Sequence, residues 1–164
     1  MTTETTISTD SAVDNLLAQQ GIKFSVALIG ETKREDWTCD AWRFTLSAGK
    51  QAYTGDFYTG IGHRKAVKGA PADKGNPNTL YREDWEKRWL NPVAPSAASV
   101  LYSLLLDSRA ADMSFDDWAS EYGYSDDSIK ALESYRACCK TARELRGIFK
   151  PEVREALQAL LQDY

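Results

Sequence analysis

The segment Ser114–Cys139 constrains the fold of this chain more than any other stretch. It contains two signals for the start of a helix, at Ser114 and Ser125, with Gly123 between them. Serine is a favoured N-cap because its hydroxyl accepts a hydrogen bond from the first turn, and glycine ends helices well because it adopts a positive φ at little cost. The segment therefore predicts two consecutive helices joined by a short turn, and Ile129 is expected to begin the apolar stripe of the second helix.

Apolar residues at helical spacing predict further helices on both sides of this segment. Asp10 or Ser11 is expected to cap a short helix that ends before Gly21, and Ser96 is expected to cap a leucine-rich one. Pro151 has the fixed φ that suits the first position of a last helix. Most of the helical signal therefore falls in the C-terminal half.

Three stretches alternate apolar and polar residues with the period of two that is typical of strands with one buried face. They lie around Ile22–Leu28, Trp42–Leu46 and Tyr53–Phe57, with a charged loop expected at Glu31–Asp36 and a turn at Ala48–Lys50. Short connections favour an antiparallel meander, and so small a sheet needs helices to cover its apolar face. The predicted fold class is α+β, with a small three-stranded antiparallel sheet packed against a C-terminal bundle of about four helices.

The length of 164 residues fits one domain. We predict a single α+β domain over residues 10–164 after a disordered polar lead-in at residues 1–9. No apolar run approaches the roughly 20 residues that span a bilayer, and the first ten residues do not resemble a signal peptide. Three cysteines and one histidine favour buried thiols in a reducing cytosol. No disulfide framework, metal site or cofactor is expected.

Charge is distributed unevenly along the chain, whose net charge is −4. Between residues 107 and 133, Arg109 and Lys130 oppose eight acidic residues: Asp107, Asp112, Asp116, Asp117, Glu121, Asp126, Asp127 and Glu133. Between residues 63 and 88, seven basic residues oppose four acidic ones: Arg64, Lys65, Lys68, Lys74, Arg82, Lys87 and Arg88 against Asp73, Glu83, Asp84 and Glu86. The overall negative charge argues against direct nucleic-acid binding, which needs clustered Lys and Arg.

The acidic residues Asp116, Asp117, Asp126 and Asp127 have two interpretations. All four fall at predicted helix starts, where the helix dipole favours anions, so they could simply form a solvated face. They could also form a docking surface for a basic groove on a partner, in place of nucleic-acid phosphates. The sequence leaves both open.

A stripe of aromatic residues has a similar ambiguity. Tyr81, Trp85 and Trp89 recur every four residues and would share one face of a helix, next to Arg88. They either pack onto the domain's own core or anchor a partner, because Trp, Tyr and Arg dominate interface hot spots.

The segment Gly60-Ile-Gly-His63-Arg64-Lys65 combines glycines with basic side chains. Its backbone amides could approach a phosphate, so His63, Arg64 and Lys65 are the candidates for an anion or nucleic-acid site. The alternative is a turn whose glycines adopt positive φ. No nucleophile or orienting carboxylate in a recognisable pattern accompanies His63, so catalysis by this histidine is not expected.

Several motifs together resemble a family of small bacteriophage accessory proteins. They are Trp42-Arg-Phe-Thr-Leu, Tyr58-Thr-Gly-Ile-Gly-His63-Arg64, Ser99-Val-Leu-Tyr-Ser-Leu-Leu-Leu-Asp107, Ser114-Phe-Asp-Asp-Trp118 and Glu121-Tyr-Gly-Tyr-Ser-Asp-Asp-Ser-Ile-Lys-Ala131. Members of that family often carry a Gly-His-Lys/Arg step and a Glu-Tyr-Gly-Tyr-Asp-x-Asp-Ser-x-Lys-Ala segment before an amphipathic helix. The resemblance covers about residues 37–149 and implies a phage or prophage protein of the bacterial host cytoplasm, without supplying a reaction.

Compared with that family, Lys65–Val93 resembles an insertion, and it contains the aromatic stripe. We therefore expect a non-enzymatic inhibitor that binds and occludes a bacterial defence complex, such as a CRISPR effector. The expected partner is a host protein or ribonucleoprotein, contacted through Tyr81, Trp85, Arg88, Trp89 and the four aspartates at 116, 117, 126 and 127. The alternatives are a nucleic-acid-binding regulator and a small nucleotide-acting enzyme using the Gly60–His63 loop, and a homodimer is left open.

Overall fold

The computed structural model describes residues 7–34, 37–64 and 94–164. Within those ranges the chain forms a three-stranded antiparallel sheet and five α-helices, one before the sheet and four after it. The predicted α+β class, with its small antiparallel sheet and mainly C-terminal helices, is confirmed. The predicted insertion at 65–93 lies outside the described residues, as do residues 1–6 of the predicted lead-in.

The helices and strands have the following bounds. The helices are α1 (Thr9–Gln19), α2 (Ala97–Ser108), α3 (Phe115–Glu121), α4 (Ile129–Ile148) and α5 (Pro151–Leu160), with a 3₁₀ turn at Arg109–Asp112. The strands are β1 (Ile22–Arg34), β2 (Trp37–Ala48) and β3 (Gln51–Arg64). The sheet order is β1-β2-β3, as expected for a meander.

Serine hydroxyls cap four of the described helices, each accepting a hydrogen bond from the backbone N–H three residues further on at 3.1–3.2 Å. The caps are Ser8, Ser96, Ser114 and Ser128. The predicted caps at positions 96 and 114 are confirmed, and Pro151 begins α5 as predicted. For α1 the prediction was wrong by two or three residues, because Ser8 and not Asp10 or Ser11 accepts from the first turn.

The β2–β3 hairpin closes through the two-residue turn Gly49-Lys50, in which Gly49 has a φ of 60°. Glycine tolerates this left-handed conformation because it has no Cβ. Directly opposite residues then pair across the strands: the hydroxyls of Thr45 and Thr54 lie 3.2 Å apart, and Arg43 Nε donates to Asp56 Oδ1 at 3.1 Å. Such cross-strand pairs fix the register of the hairpin.

Two predicted loops are strand in the structure. The charged run at 31–34 belongs to β1, and residues 60–64 belong to β3. The loop and turn predictions at these positions were wrong, because backbone pairing within a sheet requires only N–H and C=O groups. Charged and glycine residues can therefore extend a strand that apolar alternation would end.

The described chain divides into two compact units. One combines α1, the start of β1, the hairpin tip at 46–53 and all four C-terminal helices. The other contains the remaining strand residues. In the strand unit, Trp42 and Phe44 are buried, and the indole N–H of Trp42 donates to Thr59 Oγ1 at 2.6 Å. Leu28, predicted to face inward, is 45% exposed. The alternation of buried and exposed side chains therefore stops before the middle of β1.

The core of the helical unit centres on α2, which contacts α1 and α4. Six of its residues are buried: Ala97, Ala98, Val100, Leu101, Leu104 and Leu105. They lie together with buried apolar residues from the rest of the helical unit: Val13, Leu17, Leu145, Phe149, Val153, Leu157 and Leu161. Tyr164 links the chain ends, since its hydroxyl donates to Asp10 Oδ1 at 3.0 Å and lies 3.0 Å from Ser99 Oγ. In the described residues, none of the helices is long and apolar enough to cross a membrane.

Candidate protein-interaction surface

Helix α3 ends in a well-formed glycine cap that positions the residues after it. Gly123 has a φ of 74°, and its N–H donates to Ser120 O at 3.3 Å. The next N–H, of Tyr124, reaches back to Ala119 O at 2.8 Å. This pair of bonds is the Schellman motif, which satisfies the last carbonyls of a helix. The predicted helix end at Gly123 is confirmed.

A β-turn follows, and it changes the position of two of the predicted site residues. Ser128 N–H donates to Ser125 O at 3.1 Å, and the Ser125 hydroxyl donates to the Asp127 carboxylate. Asp126 and Asp127 are the central residues of this turn. The prediction that Ser125 caps the next helix was wrong: Ser128 caps α4, and both aspartates precede it rather than occupying its first turn.

Aromatic rings from α3, the turn and α4 form one cluster around Trp118, which is 6% exposed. Tyr124 stacks on Trp118 with ring centroids 5.4 Å apart and an interplanar angle of 8°. Tyr122 and Tyr135 approach the same indole in tilted arrangements at 5.3 and 5.6 Å. Aromatic pairs in such geometries contribute about 0.5–1.5 kcal/mol beyond the area they bury. The cluster therefore ties the two helices and their connection together.

Tyr135 anchors this cluster to the backbone of the preceding loop. Its hydroxyl donates to Met113 O at 2.6 Å, and its ring lies 5.5 Å from that of Phe115. Desolvation, followed by the neighbouring Cys139 thiol, raises the pKa of Tyr135. Buried alanines at positions 119 and 131 allow the two helices to approach closely.

Above this core, three apolar or aromatic side chains remain open to solvent. Tyr122 is 48% exposed, Tyr124 is 47% exposed and Ile129 is 75% exposed. Ile129 was predicted to begin the inward stripe of α4, and that prediction was wrong. The inward positions of this helix begin instead at Ala131, whose spacing of four to Tyr135 and seven to Cys138 follows the helical period.

Exposed carboxylates lie close to these three side chains along the chain, and they carry the negative charge of the segment. We use the term acidic aromatic surface for Tyr122, Tyr124 and Ile129 together with Asp116, Asp117, Glu121, Asp126 and Asp127. Among the described residues, none of these carboxylates forms an ion pair. The surface therefore combines unneutralised negative charge with exposed apolar and aromatic area.

The structure places the predicted site residues unevenly. Asp116 and Asp117 lie in the first turn of α3, as predicted, and all four predicted aspartates are exposed. Tyr81, Trp85, Arg88, Trp89 and Lys65 lie outside the described residues. His63 and Arg64 belong to the backbone of β3, and their side chains are likewise outside the description.

Sequence reasoning missed the exposed apolar members of the surface. The density of aromatic residues between 115 and 135 was visible, but helical periodicity assigned Ile129 to the core and gave no role to Tyr122 or Tyr124. The signal that could have found them is the glycine at 123. A chain that reverses there must leave residues on either side of the reversal near the surface.

In the part of the chain that the structure describes, no three His, Cys, Asp or Glu side chains are grouped so that they could hold a metal ion. The acidic aromatic surface brings together hydroxyls, rings and carboxylates, and the Ser125 hydroxyl next to it donates to the Asp127 carboxylate.

Comparison with known proteins finds no matching family model, no similar curated protein and no similar solved structure.

Proposed function

We propose that this protein is a non-enzymatic binding protein whose acidic aromatic surface docks into a basic, nucleic-acid-binding groove of another protein. The occluded groove would then be unavailable to DNA or RNA. In its most concrete form the protein is a phage-encoded inhibitor of a bacterial defence complex, such as a CRISPR effector. The observation that carries the proposal is the combination of Tyr122, Tyr124 and Ile129, all substantially exposed, with unpaired carboxylates beside them.

The two kinds of side chain support different parts of the interaction. Carboxylates on one partner and Lys or Arg on the other steer association and select the partner. Tyrosine rings contribute large contact areas at low conformational cost, and they are enriched in interface hot spots. Here the rings of Tyr122 and Tyr124 are held in place by Trp118, so they would be preorganised for binding.

Helix stabilisation explains part of the acidic charge but leaves a remainder. Asp116 and Asp117 lie in the first turn of α3, where carboxylates stabilise a helix by about 0.3–1 kcal/mol each. Asp126 and Asp127 lie ahead of the α4 N-cap, in a turn that hydrogen bonds of Ser125 and Ser128 already close. The Asp127 carboxylate accepts one of these bonds, from the Ser125 hydroxyl, so the charge of Asp126 is the better candidate for use in binding.

The bacteriophage class of the proposal comes from the family resemblance of the sequence. It supplies a setting, the bacterial cytoplasm, in which basic nucleic-acid grooves of defence complexes are targets for an acidic protein. The surface itself supports the more general statement, which is binding to a cationic protein groove with exclusion of nucleic acid.

The test replaces charge without touching the aromatic core. Asp126→Lys/Asp127→Lys reverses two charges of the surface, and Glu155→Lys/Asp163→Lys makes the same charge change at exposed positions in and after α5. Each protein is assayed for inhibition of DNA cleavage by a panel of purified CRISPR effector–guide complexes. We expect the wild type to inhibit at least one effector. The first variant should inhibit that effector about tenfold or more weakly than the wild type, and the second variant should inhibit it as strongly as the wild type.

Salt dependence provides an independent measurement on the same samples. Affinity for the inhibited effector should fall as the salt concentration is raised from about 50 to 500 mM, because salt screens the attraction between exposed charges. Equal inhibition by wild type and Asp126→Lys/Asp127→Lys, with circular dichroism showing both folded, would contradict the docking surface. Inhibition of no effector in the panel would remove the CRISPR form of the proposal.

A further inference from the structure

A second feature of the helical unit is a cavity of about 560 Å³ where α4 is followed by α5. Its lining includes Gln51 from the hairpin tip, Gly147 and Phe149 from the end of α4, and three cations at 146, 150 and 154. The cavity opens to solvent, so a small ligand can enter it. It shares no residue with the acidic aromatic surface.

Positive charge at this cavity is poorly neutralised. Arg146, Lys150 and Arg154 all line it, and none of the described residues in its lining is acidic. The nearest carboxylate oxygen to Arg146 is Asp112 Oδ1 at 3.9 Å, and both of these side chains are at least half exposed, so the pair is weak. In the described ranges, neither Lys150 nor Arg154 forms an ion pair.

Arg154 adds an observation that points to a missing acceptor. Its Nε atom is buried and has no hydrogen-bond partner among the described residues. Leaving a buried donor unpaired costs about 1–3 kcal/mol, and native structures contain few such groups. Arg154 is only partly buried as a residue and lines the cavity, so a rotation of its side chain toward an anion bound there would give this Nε an acceptor.

The start of α5 increases the positive potential. Its N-cap, Lys150, makes no side-chain capping bond, and Pro151 follows directly as the first helical residue. The positive end of the helix dipole adds to the charge of the three side chains. The one acidic residue of this turn, Glu152, is exposed and does not line the cavity.

We propose that this cavity binds a phosphate group, either as inorganic phosphate or as the terminal phosphate of a small phosphorylated molecule. Three cations suit the double charge of phosphate better than the single charge of a carboxylate. Guanidinium groups also match phosphate oxygens with paired hydrogen bonds. The site is independent of the acidic aromatic surface, so either proposal can fail without the other.

The test measures phosphate binding to the full chain at constant ionic strength. Sodium phosphate is exchanged for sodium chloride, and binding is followed by isothermal titration calorimetry and by the unfolding temperature. At tenfold excess over the dissociation constant, phosphate should raise the unfolding temperature by about 3–6 °C. Adenosine monophosphate is titrated in parallel, and tighter binding than inorganic phosphate would assign the site to a phosphorylated metabolite.

Two variants with equal charge removal separate the cavity from general attraction. Arg146→Gln/Lys150→Gln removes two lining cations, whereas Arg136→Gln/Lys140→Gln removes two exposed cations from the same helix outside the lining. The first should weaken phosphate binding roughly tenfold or more, and the second should leave it within about twofold. Arg146 and Lys150 are both exposed, so the first variant should fold like the wild type.

Two results would overturn this proposal. One is no thermal or calorimetric response to either phosphate compound beyond that of chloride at matched ionic strength. The other is equal phosphate binding by wild type and Arg146→Gln/Lys150→Gln, which would place the bound anion elsewhere on the protein.

Discussion

Replacing Trp118 by alanine should reveal how much of the helical unit depends on the aromatic cluster. The side chain is 6% exposed, and it contacts the rings of Phe115, Tyr122, Tyr124 and Tyr135. Burying a ring system of about 150–250 Å² at about 25 cal/mol per Å² corresponds to about 4–6 kcal/mol, an upper bound because the unfolded chain also buries surface. Measured Trp→Ala changes in cores, about 3–5 kcal/mol, agree with this range.

A loss of that size is a large fraction of the roughly 5–15 kcal/mol by which domains are stable. The unfolding temperature should fall by about 6–20 °C, measured by circular dichroism and calorimetry, with urea titration giving the free energy of unfolding. Tyr122→Ala is the matched control, because it removes a half-exposed ring from the same cluster and should cost about 1–2 kcal/mol. A loss from Trp118→Ala no greater than that of the control would refute the assignment of Trp118 as the centre of the cluster.

Two further predictions address single positions. Gly123→Ala should destabilise by about 1–2 kcal/mol in urea titrations, because φ is 74° while the space around an added Cβ is open, so backbone strain is the whole cost; a neutral effect would contradict the left-handed cap. Burial, followed by the charges of Asp107 and Cys139, raises the pKa of Cys138 to about 11. The test uses a variant in which Cys39 and Cys139 are replaced by alanine. At pH 8 the Cys138 thiol of the folded variant should react with iodoacetamide about 100-fold more slowly than the same thiol in the variant unfolded in urea. Equal rates in the two states would contradict the raised pKa. Because the folded-state pKa is raised, its contribution to stability is complete below the ordinary thiol pKa and is lost as pH rises toward 11.

Local signals in the sequence predicted most of the helical half. Ser96, Ser114, Gly123 and Pro151 act through hydrogen bonds or backbone angles within three or four residues of themselves, so their effect does not depend on the rest of the fold. The alternating strands were predicted for the same reason. Elements whose stop and start signals are local can be read from the chain before any tertiary contact is known.

The errors occurred where a partner element decides the outcome. The charged residues at 31–34 extend β1 because β2 lies beside them, and apolar periodicity contains no information about that neighbour. Ser125 and Ser128 are both good caps by type, and the turn between them decides which one begins α4. Ile129 is apolar and at a plausible helical position, but the core contacts of α4 begin two residues later.

The surface that we propose for binding was the hardest part to predict, for a related reason. Aromatic residues near Gly123 could all have been buried, and composition does not say which ring of a cluster becomes the centre. Packing of Ala119 against the second helix places Trp118 inside, and the reversal at Gly123 leaves Tyr122 and Tyr124 half exposed. Exposure is therefore a tertiary property, whereas the acidic charge around it was evident from the sequence.

Helix α4 lies between the two charged features of the helical unit, with the acidic aromatic surface near its start and the basic cavity near its end. It has 20 residues and so spans about 30 Å, with Asp126 and Asp127 just before its start and Arg146 in its last turn. Both charges favour the helix dipole, and this arrangement alone would stabilise α4 by about 0.3–1 kcal/mol at each end. Charge segregation is thus expected from folding without any ligand, so it cannot by itself establish binding. The two explanations predict different results for Asp126→Lys/Asp127→Lys. Helix stabilisation alone predicts a lower free energy of unfolding and an unchanged affinity of the folded protein for its partner. A tenfold loss of that affinity, about 1.4 kcal/mol, requires contact with the partner.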